Sequence, residues 1–303
     1  MNQEFKASLK SADTEEHIDI YFYRPIGYQW ARFFRMLHVT PNVVTILSIF
    51  LGVGAGICFY FDDLAINILG IFLLIWQTYM IAATVSWRDS PTEECPGQNP
   101  GWCCWRLLVC QHLLRHLLPS DAGVGLENLA LCIVAGFGCH AIQSRLADYY
   151  RQIHLFFLKG KEGSELDDAS KQVDLWKQMK WKKEPVQKLF QFFYKNYTLG
   201  QERDTPIFQI FKRNLRERYP QQLPEQLRAD FRAGSLPLMK YANILTFNWR
   251  SITLFISILI GLPWLYPAIE ITVFSLIFFY MRGTHERLCL KLNQKVLKGE
   301  YGA

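Results

Sequence analysis

Two groups of residues have types and spacings suited to chemistry. The first lies in the run Gln143-Ser144-Arg145-Leu146-Ala147-Asp148-Tyr149-Tyr150-Arg151, followed by His154. Arg145 and Arg151 suit a phosphate, because a guanidinium offers paired N–H donors to its oxygens. The same two cations would equally serve as positive anchors among lipid headgroups at a membrane face. His154 reads as an interfacial residue more simply than as a catalytic one. Asp148 alone cannot make a carboxylate set for a metal. The second group is Cys95, Cys103, Cys104, Cys110, His112 and His116. Structural zinc usually takes cysteines in regular short pairs. Adjacent cysteines and irregular gaps do not match that pattern. Cys58, Cys132, Cys139 and Cys289 read as small apolar residues.

The elements that must position these residues are apolar. The chain has 303 residues, 50% hydrophobic and 15% aromatic, with a mean hydropathy of only +0.03. That average would suit a soluble protein, but it is unevenly spread. Val43–Phe61 is 19 residues without a charge, close to the roughly 20 that cross a hydrocarbon core. Leu64–Trp76, continuing to Ala83, is a second such stretch, and Leu126–Ile142 a third. Ile252–Leu265 and Ile269–Met281 are two more, split by a proline turn. Leu107–Leu118 is apolar but broken by Gln111, His112, Arg115 and His116, and counts as a degraded sixth. The expected fold is an all-α integral membrane protein, a six-span helical bundle with one span degraded. No charge pair is expected inside the spans, which disfavours a transporter.

Orientation follows from Lys and Arg in the connections. Residues 119–128 and 263–268 carry none. Residues 143–250 carry 20 basic and 12 acidic side chains, and the tail 282–303 carries 5 and 2. Both termini are therefore expected to be cytoplasmic, in an inner or plasma membrane. The net charge of +6 is small and dispersed, which argues against nucleic acid.

Ile18–Leu37 interleaves aromatic and aliphatic residues with Arg24, Arg32 and Arg35. It suits a helix lying in the headgroup layer, interrupted near Pro25; a buried cytoplasmic helix is the alternative. Thr40-Pro41 then reads as a helix start. Gly52, Gly54 and Gly56 in the first span would admit a close neighbour. Residues 159–248 form a helical insert, with stretches at Ser164–Met179, Glu184–Tyr197, Pro206–Arg218 and Pro224–Arg232. Leu189, Phe190, Phe192, Phe193 and Tyr194 give it an apolar face. Lys177, Lys180, Lys182, Lys183 and Lys188, among Trp176 and Trp181, suit either an anionic lipid surface or a solvated helix face. The organisation expected is an interfacial segment 1–42, membrane helices 1–4 over 43–158, the insert 159–248, membrane helices 5–6 over 249–281, and a cytoplasmic tail 282–303.

The amphipathic helix, the run Thr40-Pro41-Asn42-Val43-Val44-Thr45, the six-span layout and the run 143–151 together resemble the CDP-alcohol phosphatidyltransferases. The resemblance implies a transferase of phospholipid biosynthesis. It would move a substituted phosphate from a CDP-linked donor to a hydroxyl acceptor and release CMP. It implies Mg²⁺ or Mn²⁺, a membrane-lipid setting and a possible homodimer. It marks Asn42, Thr45, Arg145, Asp148 and Arg151 as candidate substrate-binding residues. Members carry D-G-x2-A-R-x8-G-x3-D and one further Asp. A diphosphate needs divalent cations on hard carboxylate oxygens, and the metals neutralise charge on the leaving CMP.

That motif is missing in frame, so no catalytic or metal-binding residue is identifiable here. Where it belongs, residues 77–118 hold four of the eight cysteines and three of the nine tryptophans. Such composition resembles translation in a wrong frame. Read from third codon positions, the Met80–Ile81 junction forces GAT, an Asp. The junctions through Asp89 permit Asp-Ser-x-Asp-Gly-Gln-Leu-Ala-Arg. Read from second positions, Gly97–Leu108 permits Gly-Arg-Ile-Leu-Asp-Gly-Ala-Ala-Gly-Asp, and Trp102 and Trp105 force glycines. Eight codons separate the two hidden halves, the family spacing. The expectation is a frameshifted catalytic segment and a chain with little or no activity. The alternative is a non-enzymatic membrane protein that binds a partner through its insert.

Overall fold

The computed structural model describes residues 13–14, 16, 18–61, 63–88, 133–160, 166–262 and 264–302. Every regular element among them is helical, and no strand occurs among them. In chain order the helices are α1 (Arg24–Met36), α2 (Pro41–Tyr60), α3 (Leu64–Arg88), α4 (Ala141–Lys159), α5 (Ala169–Gln178), α6 (Pro185–Arg203), α7 (Pro206–Arg218), α8 (Glu225–Ile244), α9 (Phe247–Leu259), α10 (Leu265–Ile269) and α11 (Ser275–Lys298). Wide π-helical turns lead into α1 at Asp19–Tyr23, into α4 at Val134–His140 and into α11 at Glu270–Phe274. Leu64–Thr84 and Leu265–Lys298 are long and apolar enough to cross a membrane; Val43–Phe59 is a shorter apolar helix. The degraded stretch 107–118 and residues 126–132 lie outside the described residues.

The chain divides into two compact units, Met1–His140 with Phe247–Thr272, and Ala141–Thr246 with Val273–Ala303. In the first unit, α2 and α3 pair along their length. The glycine spacing in α2 shows its reason at Gly52, where an added Cβ would lie 2.7 Å from the Gln77 amide nitrogen. Gly54 has ordinary room, 3.5 Å from Leu73. Ala55, Phe59, Leu74 and Ile258 form a core joined by Leu254 and Phe255 of α9. Helix α1 starts at Arg24 with Pro25 in its first turn, where a missing N–H removes no helical bond. Phe34 packs with Val44 and Met80, and Trp30 meets Trp76 edge-on at 5.0 Å. Phe33 and Met36, on other sides of α1, are exposed. Helix α9 has 13 residues, a rise of about 20 Å.

In the second unit, α4 packs on α8 and α6, and α11 packs on α7 and α8. Phe157 stacks on Phe231 at 3.7 Å, and Tyr150 on His285 at 4.0 Å. Helix ends are closed by side chains from other helices. Arg228 donates to the carbonyls of Phe157 and Leu158 near the end of α4. Glu286 of α11 accepts from the Ile207 N–H at the start of α7. These meet backbone groups that a helix cannot satisfy internally. The tail therefore belongs to the packed body of this unit.

Candidate functional site

Helix α4 carries three of the five candidate residues. Arg145 forms an ion pair with Asp204, just past α6, with side chains 14% and 17% exposed. Asp204 also accepts from Arg203 at 3.0 Å. Partial burial pushes the Asp204 carboxyl up, but the Arg203 bond and the Arg145 charge outweigh it and hold it below its ordinary value. Gln201 donates to the Arg145 carbonyl at 3.4 Å. Gly200 lies close beside this pair, and a Cβ there would force the Arg145 guanidinium to shift. Asp148 accepts a hydrogen bond from Tyr197 at 2.9 Å. Burial lifts the Tyr197 phenol well above its usual range, and the Asp148 charge adds to the effect. Arg151 is half-buried on the same helix.

The structure thus brings Arg145 and Asp148 together, and closes them with Tyr197, Gly200, Gln201 and Asp204. A phosphate reaching Arg145 must displace a carboxylate. The pair is a clamp between α4 and the end of α6. Gly200→Val is expected to push the guanidinium off Asp204 and destabilise the chain by about 1–3 kcal/mol, as overpacking does. Thermal unfolding in detergent measures this; an unchanged midpoint would mean that the close approach is not structural.

His154 is packed inside the second unit. It is 1% exposed, and its Nδ1 lies 2.7 Å from the Ser235 hydroxyl. A polar ring on the inward side of α4 needs such a partner, and Ser235 of α8 supplies it.

Thr45 and Asn42 belong to the first unit. Thr45 is half-buried, and its carbonyl accepts from Ser48 at 2.7 Å. Asn42 lies in the first turn of α2; its side chain is outside what the structure describes. Residues 77–88 continue α3, and 89–118, with Cys95, Cys103, Cys104, Cys110, His112 and His116, lie outside the described residues. Among the described residues no three His, Cys, Asp or Glu side chains group to hold a metal ion.

A second electrostatic centre was missed from sequence. Arg250 of α9, 0% exposed, pairs with Glu270, 1% exposed. Arg250 also meets His140 Nδ1 at 2.7 Å. That nitrogen also lies 3.4 Å from Glu270. A guanidinium only donates, so His140 Nδ1 accepts from Arg250. Glu270, inside the stretch Ile269–Met281, is thus paired with Arg250, two residues before the stretch Ile252–Leu265. Glu270 was the signal: it is the sole charge in residues 251–281. An apolar surrounding tolerates such charges only when they are paired. Paired in this way, the three residues make a structural lock.

Asp168 anchors α5 to α7. It accepts from Lys212 at 2.6 Å and from Arg216 at 2.8 Å. Partial burial raises its pKa, but the Lys212 and Arg216 bonds and charges win and lower it. A depressed carboxyl stabilises the fold above its unfolded value of 3.8, and that stability is lost as pH falls through the lower native value. Asp168→Asn is expected to flatten the acid limb of unfolding temperature against pH. With Arg216 half-exposed, the effect is discounted to about 1 kcal/mol. An unchanged acid limb would contradict the assignment.

The class defined by these observations is an all-helical protein with two helices long and apolar enough to cross a membrane. No family model matches the chain, and neither a curated protein nor a solved structure matches it.

Proposed function

We propose that this chain is a CDP-alcohol phosphatidyltransferase-like membrane transferase of phospholipid biosynthesis whose catalytic segment is read out of frame. Its working form would move a substituted phosphate from a CDP-linked donor to a hydroxyl acceptor, with release of CMP. The observation that carries this is the pair of hidden half-motifs in residues 80–108, with a forced Asp, two forced glycines and eight codons between the halves. The Thr40-Pro41-Asn42 start of α2 and the packed α2–α3 pair support it. The finer reading is a six-span bundle in an inner or plasma membrane with both termini cytoplasmic. The metal carboxylates belong to the shifted frames, so this chain is expected to be inactive. The test compares CMP release from a CDP-linked lipid by this chain and by a frame-restored one; equal rates would refute the proposal.

The Arg145–Asp204 and Asp148–Tyr197 contacts favour a second reading, in which α4 and the insert form one body for binding a partner. Full partner binding without any divalent metal, in both chains, would favour it.

A further inference from the structure

Helix α6 buries several of its polar side chains, while Gln187, Asn196 and Arg203 stay exposed. Gln191 is 2% exposed and donates to Gln172 of α5 at 2.8 Å. Lys188 is 8% exposed, donates to the Met179 carbonyl at 2.7 Å and sits 4.8 Å over the Trp176 ring. Thr198 is 1% exposed and bonds to its own helix at the Tyr194 carbonyl. Leu189, Phe190 and Phe193 lie on the opposite side, 46%, 43% and 37% exposed. A helix in water places these faces the other way round.

A neighbouring feature says what covers the outward side. The connection from α5 to α6 carries Lys180, Lys182 and Lys183, all exposed, with Trp181 52% exposed between them. Cations and an amphipathic aromatic ring at the margin of an apolar helix face match a headgroup layer over acyl chains. A protein partner would need acidic groups and an apolar groove together; an anionic bilayer surface supplies both over any area.

We infer that the outward face of α6, with Trp181 and the lysines before it, docks on an anionic lipid surface. This goes beyond the transferase reading and does not depend on it. The test uses the full chain in bilayers of phosphatidylcholine with roughly 30% phosphatidylglycerol, with and without brominated acyl chains. Subtracting Trp181→Phe isolates the Trp181 emission. Bromination is expected to quench that emission at least twofold. The variant Phe190→Ser/Phe193→Ser, and separately Lys180→Glu/Lys182→Glu/Lys183→Glu, should each remove most of the quenching. Equal Trp181 emission in brominated and plain bilayers would overturn the inference. So would quenching that survives Phe190→Ser/Phe193→Ser while that variant turns a dimer into a monomer, since a second copy would then cover the face. Neither readout involves CMP, so failure here is distinct from failure of the transferase reading.

Discussion

Arg250→Met is expected to destabilise the chain by about 3–5 kcal/mol, because it leaves the Glu270 carboxylate buried without its counter-charge. Glu270→Leu should cost a similar amount by stranding Arg250. Both groups are almost fully excluded from solvent, so no water replaces the missing partner. The double variant Arg250→Met/Glu270→Leu should recover most of the loss. Replacing a buried ion pair by apolar groups of similar size is often neutral or stabilising. His140 would lose its donor in the single Arg250 variant and in the double, which keeps the recovery incomplete. Equilibrium unfolding in detergent measures all three. Losses that simply add in the double variant would show that the pair does not act as a unit.

Restoring the frame is expected to raise CMP release by about a thousandfold or more. Metal ions supply several kcal/mol of charge stabilisation at a transferring phosphoryl group, and each 1.36 kcal/mol is tenfold in rate. The present chain offers no such carboxylate group among its described residues, so it should release CMP at the background rate. The restored chain should lose its gain when a chelator removes the divalent cation. A restored chain as slow as this one, with the cation present, would count against the assignment.

Much of the helical order was legible in the sequence. Pro206–Arg218 is found where it was expected, because Pro206 opens the helix and Tyr219-Pro220 ends it. Pro41 marks the start of α2 in the same way. Helix α8 runs on to Ile244, well past the expected end at Arg232 and through Gly234 and Pro237. Packing decides this: Leu238, Met239 and Ala242 are buried, and Gly234 lies close under Leu288. Helix α5 starts at Ala169, later than expected, with Asp168 turned to Lys212 and Arg216. The apolar side of α6 was legible, but its direction was not. Periodicity identifies two faces and cannot say which meets the rest of the fold. The candidate site was half legible. Arg145 and Asp148 stood out by type, while their partners Tyr197 and Asp204 lie some fifty residues away in the insert. The Arg250–Glu270 lock was hidden because its two charges lie twenty residues apart, on either side of a proline turn.

The central claim concerns the codons themselves, and the most direct measurement is to sequence the locus across codons 77–118. The account predicts that the third-position frame encodes D-G-x2-A-R over codons 83–89. It predicts that the second-position frame encodes G-x3-D from codon 97, with eight codons between the two halves. DNA that encodes these residues with neither half-motif in either shifted frame would contradict it.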